Sequence, residues 1–201
     1  MGLRRHVTAP GELYGEGARS LQDRFDSRRL ADRLEQVTVH DGLTRTDRAL
    51  VERCTSFTLA TVGPDGWPDV SYKGGRAGFV RAPDRATLLF PSYDGNGMFR
   101  SLGAVLAEPR VGLLFVDVEQ PDRLRVQGRA SVHDDPELLA SFEGAQLVVQ
   151  VAVERVWPNC PRYVHRAVQV ELSAHAPQPG HVPPVPEWKR MEQFRDVLPG
   201  P

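Results

Sequence analysis

The chain contains little cysteine and no long apolar run, and both absences exclude whole classes of protein. Cys54 and Cys160 are the only cysteines among 201 residues, so a disulfide framework is excluded. The longest apolar run, at residues 111–116, is interrupted by Gly112 and is too short to cross a bilayer. No apolar segment follows the two arginines near the start, so we expect no secretory signal. These features predict a cytosolic protein.

An excess of either charge is also missing. The chain has 25 lysines and arginines against 26 aspartates and glutamates, which gives a net charge of −1. This balance argues against a nucleic-acid-binding protein, because such proteins depend on a strongly basic surface. The only lysines are Lys73 and Lys189, and every other basic residue is an arginine. A coding bias towards GC-rich codons accounts for that ratio, although it makes Lys73 conspicuous.

The length and composition fit one globular domain with terminal extensions. Residues 1–55 are predicted to form a helical extension, with a break near Asp26 and a third helix of about nine residues capped by Thr46. The apolar residues that recur there at helical spacing are Ala18, Leu21, Phe25, Leu30, Leu34 and Val37. Residues 56–172 form the main domain, and residues 173–201 form a proline-rich tail.

The main domain has the pattern of an antiparallel β-protein. Short β-prone runs alternate with Gly, Pro and Asp turns, which predicts six or seven strands arranged as a barrel or a sandwich. The predicted extended segments are 57–62, 70–73, 78–81, 87–90, 110–118, 124–132 and 147–156. One helix is predicted to begin near Gly97, between the fourth and fifth of these segments. A short helix is predicted to start at Asp135 and Pro136.

The segment FPSYDGNGMFRSLG at residues 90–103 carries the clearest chemical signal. Residues 94–97 allow left-handed backbone conformations, so their amides can form an anion-binding nest before a helix N-terminus. Arg100 and Ser101 fall on the first turn of that helix, where a guanidinium and a hydroxyl can reach the same anion. These parts predict a phosphate site. The alternative is an ordinary glycine-containing helix cap.

Four features, in this order, resemble the pyridoxamine 5′-phosphate oxidase-like, FMN-binding split-barrel family. They are FTLATVGPDGWPDVSYKGG (57–75), ATLLFPSYDGNGMFRSLG (86–103), EPRVGLLFVDVE (108–119) and DRLRVQGRASV (122–132). The terminal segments LQDRFDSRRLAD and EWKRMEQFRDVLP resemble one bacterial, oxidase-like subgroup. The resemblance implies a mainly β protein with flanking helices, built on a six-stranded antiparallel split β-barrel. It also implies a homodimer with two FMN sites at the subunit interface.

The resemblance implies roles for nine residues. Arg100 and Ser101 would hold the flavin phosphate, with Asn96 in the loop before them. The isoalloxazine ring would be lined by Ser71, Lys73, Pro91 and Ser92. The Lys73 ammonium would stabilise the anionic reduced flavin, unless Lys73 is only a solvated lysine at a strand end. Arg123 and Arg125 would face a ligand across the dimer interface, or else belong to a solvated edge strand.

Two departures from the family pattern bear on the reaction. Ser71 stands where the true oxidases have a phosphate-binding arginine, and RYVHR at 162–166 only distantly matches their tryptophan- and arginine-rich terminal segment. We therefore expect an FMN-dependent oxidoreductase acting on another small substrate, with no catalytic residue assigned. The alternatives are a split barrel that uses a deazaflavin or haem, and a non-catalytic flavin-binding or storage module. No metal, nucleic-acid or membrane partner is expected.

Overall fold

A single curled antiparallel sheet forms the body of the protein. The computed structural model describes residues 13–117, 119–120, 122–160, 162–169 and 171–198. The strands are β1 Ser56–Val62, β2 Pro68–Gly74, β3 Thr87–Tyr93, β4 Arg110–Asp117, β5 Asp122–His133 and β6 Ala145–Pro158. They are ordered β2-β1-β4-β5-β6-β3, so β2 and β3 are the two edges of the sheet. This arrangement confirms the predicted six-stranded antiparallel split barrel with flanking helices.

Five α-helices flank the sheet within the described residues. They are α1 Glu16–Arg24, α2 Arg28–Thr38, α3 Arg45–Arg53, α4 Arg100–Ala107 and α5 Pro136–Ala140. Helices α1 and α2 bury no side chain, whereas α3 places Leu50 and Val51 in the core. None of the helices in the described ranges has the length and apolar character that a membrane span requires.

Four aromatic side chains from different parts of the chain form a cluster inside the barrel. Phe57 on β1 lies 5.0 Å from Phe90 on β3 and 5.1 Å from Phe115 on β4, measured between ring centroids. Phe79, from the segment between β2 and β3, stacks on Phe57 at 5.9 Å. All four rings are buried, and such pairs stabilise a core beyond the area that they bury. The interior is therefore a packed core.

The break predicted near Asp26 is confirmed, because α1 ends before it and α2 begins after it. Asp26 adopts a left-handed φ of 49°, which interrupts the helical path.

The predicted cap at Thr46 is wrong by two residues. The N-cap is Thr44, whose hydroxyl accepts from the Asp47 amide while the Asp47 carboxylate accepts from the Thr44 amide at 2.8 Å. This reciprocal capping box fixes the start of α3.

The predicted strand at 78–81 and the predicted start of the inserted helix are both wrong. Residues 78–81 do not form a strand; Gly78 has a φ of 83°, and only Arg81 pairs with the sheet, opposite Leu89. The inserted helix therefore lies between the third and fourth strands. It begins at Arg100 rather than near Gly97, because Gly97 and Phe99 have φ values of 73° and 48°. Residues 1–12 of the predicted helical extension, and residue 118, lie outside the described residues.

Substitution of Gly128 by alanine should lower the free energy of unfolding by about 2 kcal/mol or more. A Cβ at this β-bulge would lie 2.2 Å from the carbonyl oxygen of Ala152, which is backbone and cannot rotate away. The matched control is Gly103→Ala in α4, where the new Cβ meets nothing within 4 Å. Helix propensity predicts that this control gains up to about 1 kcal/mol. Equal stability of the two variants in urea unfolding would contradict the packing described for the bulge.

Candidate functional site

The edge strand β2 presents three polar side chains towards the inside of the barrel. In the register of the sheet, Lys73 is opposite Phe57, and Ser71 is opposite Leu59. Directly paired residues of antiparallel strands project to the same face. Asp69 follows the same alternation, so Asp69, Ser71 and Lys73 share the inner face of β2.

The start of α4 packs against this polar strip. The Ser101 hydroxyl donates to the Ser71 hydroxyl at 3.0 Å, and Arg100 Nε lies 3.6 Å from a carboxylate oxygen of Asp69. The structure thus brings together two segments that are separated by about thirty residues in the chain. We call Asp69, Ser71, Lys73, Arg100 and Ser101 the rim site.

The loop before α4 leaves the helix N-terminus without a side-chain cap. The carboxamide oxygen of Asn96 accepts from the Met98 amide at 3.0 Å, which is a local turn within the loop. The N-cap residue is Phe99, whose ring accepts no hydrogen bond from the first amides of α4. A bulky residue in a left-handed conformation is unusual and costs free energy. The first amides and the positive end of the helix dipole therefore remain available to an anion.

The two cationic side chains of the rim site differ in their solvation. Burial lowers the pKa of Lys73 below its ordinary value, and the Asp69 carboxylate opposes this by a smaller amount. The Arg100 side chain is 68% exposed and is paired only loosely with Asp69. Arg100 can therefore turn towards an incoming anion, whereas Lys73 is held in a less polar environment.

Sequence reasoning missed Asp69, although its position at two-residue spacing before Ser71 and Lys73 could have revealed it. The Asp69 carboxylate is a counter-ion for Arg100, so a phosphate that binds Arg100 would either displace the carboxylate or lie beside it. The rim site therefore contains a negative charge as well as positive ones.

The remaining predicted residues lie elsewhere on the sheet. Pro91 is buried and Ser92 is half-buried on β3, at the opposite sheet edge from β2. On β5, Arg125 is exposed, while Arg123 donates through Nη2 to the Cys160 carbonyl. The Nε of Arg123 is buried and has no hydrogen-bond partner among the described residues. Within one chain, the two arginines do not reach the inner face of β2.

The arrangement of the rim site fits a phosphate-bearing ligand. Two hydroxyls, a guanidinium and the uncapped amides of α4 meet beside the inner face of β2. These are the donor types that hold phosphate groups in proteins.

These features define a split barrel whose rim carries hydrogen-bond donors of the types that hold anions. A sequence model of the family described as "Pyridoxamine 5'-phosphate oxidase" matches residues 43–170, which is well over half of the chain. The chain therefore belongs to the pyridoxamine 5′-phosphate oxidase family. A search of curated proteins found no significant match.

Several solved structures are similar to this chain. HupZ of Group A Streptococcus is 17% identical, with a TM-score of 0.48 over 63% of this chain and 99% of its own. An FMN-binding protein from Syntrophomonas wolfei is 12% identical, with a TM-score of 0.42 over 71% of this chain and 96% of its own. A Clostridium acetobutylicum protein related to general stress protein 26 is 13% identical, with a TM-score of 0.44 over 57% of this chain and 85% of its own.

Proposed function

We propose that the protein binds FMN at the rim site and acts as an FMN-dependent oxidoreductase on a small substrate. The observation that supports this most directly is the contact between Ser71 and Ser101, which joins the inner face of β2 to the start of α4. In a member of this family, that junction combines phosphate donors with a strand surface suited to a ring. Bound FMN would supply the two-electron redox chemistry.

We assign the phosphate to the start of α4. The Arg100 guanidinium and the Ser101 hydroxyl would donate to its oxygens, together with the first amides of the helix. Arg100 would exchange its loose contact with Asp69 for a charge-assisted hydrogen bond to phosphate. Asn96 would act indirectly, because its side-chain oxygen already shapes the loop through the Met98 amide.

Lys73 would act on the flavin ring. Its side chain lies on the same face as Ser71, two residues further along β2, in an environment that lowers its pKa by burial. An ammonium in such surroundings interacts strongly with a nearby negative charge, since little water screens it. We therefore propose that Lys73 stabilises the anionic reduced ring. Pro91 and Ser92 on β3 would line the ring from the other edge.

We propose that the functional unit is a homodimer formed through the outer face of the sheet. On β2, Val70 and Tyr72 are 64% and 76% exposed and point away from the core. Across β1, β4 and β5, the row that begins at Tyr72 continues through Thr58, Leu114 and Arg125. An exposed apolar edge strand requires a partner or a cover. The row continues from Arg125 to Trp157 on β6, so both side chains would face a second copy bound to this surface.

The substrate is proposed to differ from that of the true oxidases. Ser71 replaces their strand arginine and here contacts Ser101, so it contributes a hydroxyl and no charge. In the true oxidases that arginine helps to bind the flavin phosphate, whereas their terminal segment binds the substrate phosphate. RYVHR at 162–166 only distantly matches that segment, so a substrate without a phosphate fits this chain better than a phosphorylated one.

Replacement of Arg100 by alanine should weaken FMN binding by about 2 kcal/mol or more, because it removes a charge-assisted contact to phosphate. The measurement is flavin fluorescence titration at fixed salt. Arg110→Ala is the matched control, since that side chain is 69% exposed and pairs with Glu108 as Arg100 pairs with Asp69. An affinity in Arg100→Ala equal to that of the control would remove Arg100 from the site.

Replacement of Lys73 by methionine should leave FMN affinity nearly unchanged and lower the reduction potential of the bound flavin. Loss of one nearby charge is worth about 1–3 kcal/mol, or roughly 20–60 mV for a two-electron couple. The difference from the wild type should shrink as pH rises and the Lys73 ammonium deprotonates. Dye-equilibrated redox titrations at several pH values measure this. A potential that does not move in the variant would place Lys73 away from the ring.

A further inference from the structure

Three contacts tether the C-terminal part of the chain to the barrel and to the loop before α4. Gln169, which precedes the tail, accepts a hydrogen bond from the Thr55 hydroxyl at 2.6 Å, near the start of β1. Further on, Pro177 packs against Gly144, where an added Cβ would lie only 2.8 Å from the proline ring. The final tether is an ion pair, because Lys189 Nζ lies 2.6 Å from a carboxylate oxygen of Asp94.

The tail and the loop line an open cavity of about 890 Å³. Its walls include Tyr93, Asp94 and Asn96 on the loop side and Pro184, Trp188 and Lys189 on the tail side. The tail therefore forms one wall of a cavity whose other wall contains residues of the loop that precedes the rim site.

The Lys189 side chain is held in place by its own segment. It is only 21% exposed, and its ammonium lies 5.7 Å from the centre of the Trp188 ring. Trp188 in turn packs edge-on against Phe194 at 5.9 Å. The side chain of Asp94 is 59% exposed, so the lysine is the better ordered member of the pair.

Asp94 is an unfavourable neighbour for a phosphate. It precedes the Gly95-Asn96-Gly97 turn, and its carboxylate adds negative charge beside amides that would receive an anion. Pairing with Lys189 offsets that charge and tethers the start of the loop to the tail.

We infer that Lys189 is a positioning residue for flavin phosphate binding, acting through Asp94, so that a docked C-terminal tail is required for full FMN affinity. This inference rests on the proposed function. Lys189 does not touch the phosphate itself; it neutralises Asp94 and holds the loop in the conformation that presents the amides of α4. The effect is electrostatic and therefore specific to a ligand that carries a phosphate.

The test is FMN and riboflavin titration of the full chain at low salt. Lys189→Ala should weaken FMN binding about three- to fivefold and Lys189→Glu about tenfold, the range expected for a partly exposed ion pair. Riboflavin has no phosphate, so its affinity should change by less than about twofold in either variant. Lys189→Arg should bind FMN as the wild type does. Unfolding in urea should be the same for all variants.

A double-mutant cycle decides whether Lys189 acts through Asp94. In an Asp94→Asn background there is no charge to neutralise, so Lys189→Ala should no longer affect FMN affinity. The inference is overturned if Lys189→Glu binds FMN like the wild type, if riboflavin loses affinity equally, or if the cycle shows no coupling. Failure of the wild-type protein to bind FMN would instead overturn the proposed function, and this inference with it.

Discussion

The aromatic packing around Phe57 determines where a ligand can bind. Its ring contacts Phe79, Phe90 and Phe115, so side chains from β1, β3, β4 and the segment between β2 and β3 meet in one buried cluster. A core packed to the density of an organic crystal has no room for a cofactor. This is why we place the proposed FMN site at the rim of the barrel. Lys73 lies there, directly opposite Phe57, and burial lowers its pKa.

The rim depends on an edge strand whose two faces have different chemistry. The inner face of β2 carries Asp69, Ser71 and Lys73, while its outer face exposes Val70 and Tyr72. This reverses the usual pattern of an edge strand, in which apolar residues face the core and polar residues face water. The proposed function explains these two faces of β2: a polar ligand would lie against the inner face, and a second copy of the chain would cover the outer face.

Local patterns predicted the elements, but contacts between distant segments could not be predicted from them. The β-prone run at 57–62, which ends at a Gly-Pro-Asp-Gly turn, predicted a strand, and β1 lies there. The capping box at Thr44 and Asp47, and the place of Asp69 beside Ser71, obey short spacing rules and could have been recognised. The pair formed by Asp94 and Lys189 spans 95 residues and follows no local rule. It becomes visible only when the tail is placed in the fold.

Sedimentation velocity, monitored at the visible absorbance of the flavin, tests whether one FMN binds per chain within a dimer. The protein is mixed with FMN, freed of excess, and followed at both the protein and the flavin wavelengths. We expect flavin to co-sediment with a species of twice the 22.3 kDa chain mass, at one flavin per chain. Flavin that remains at the meniscus while the protein sediments would contradict the proposed FMN site. A Soret band in the starting material would point to haem instead.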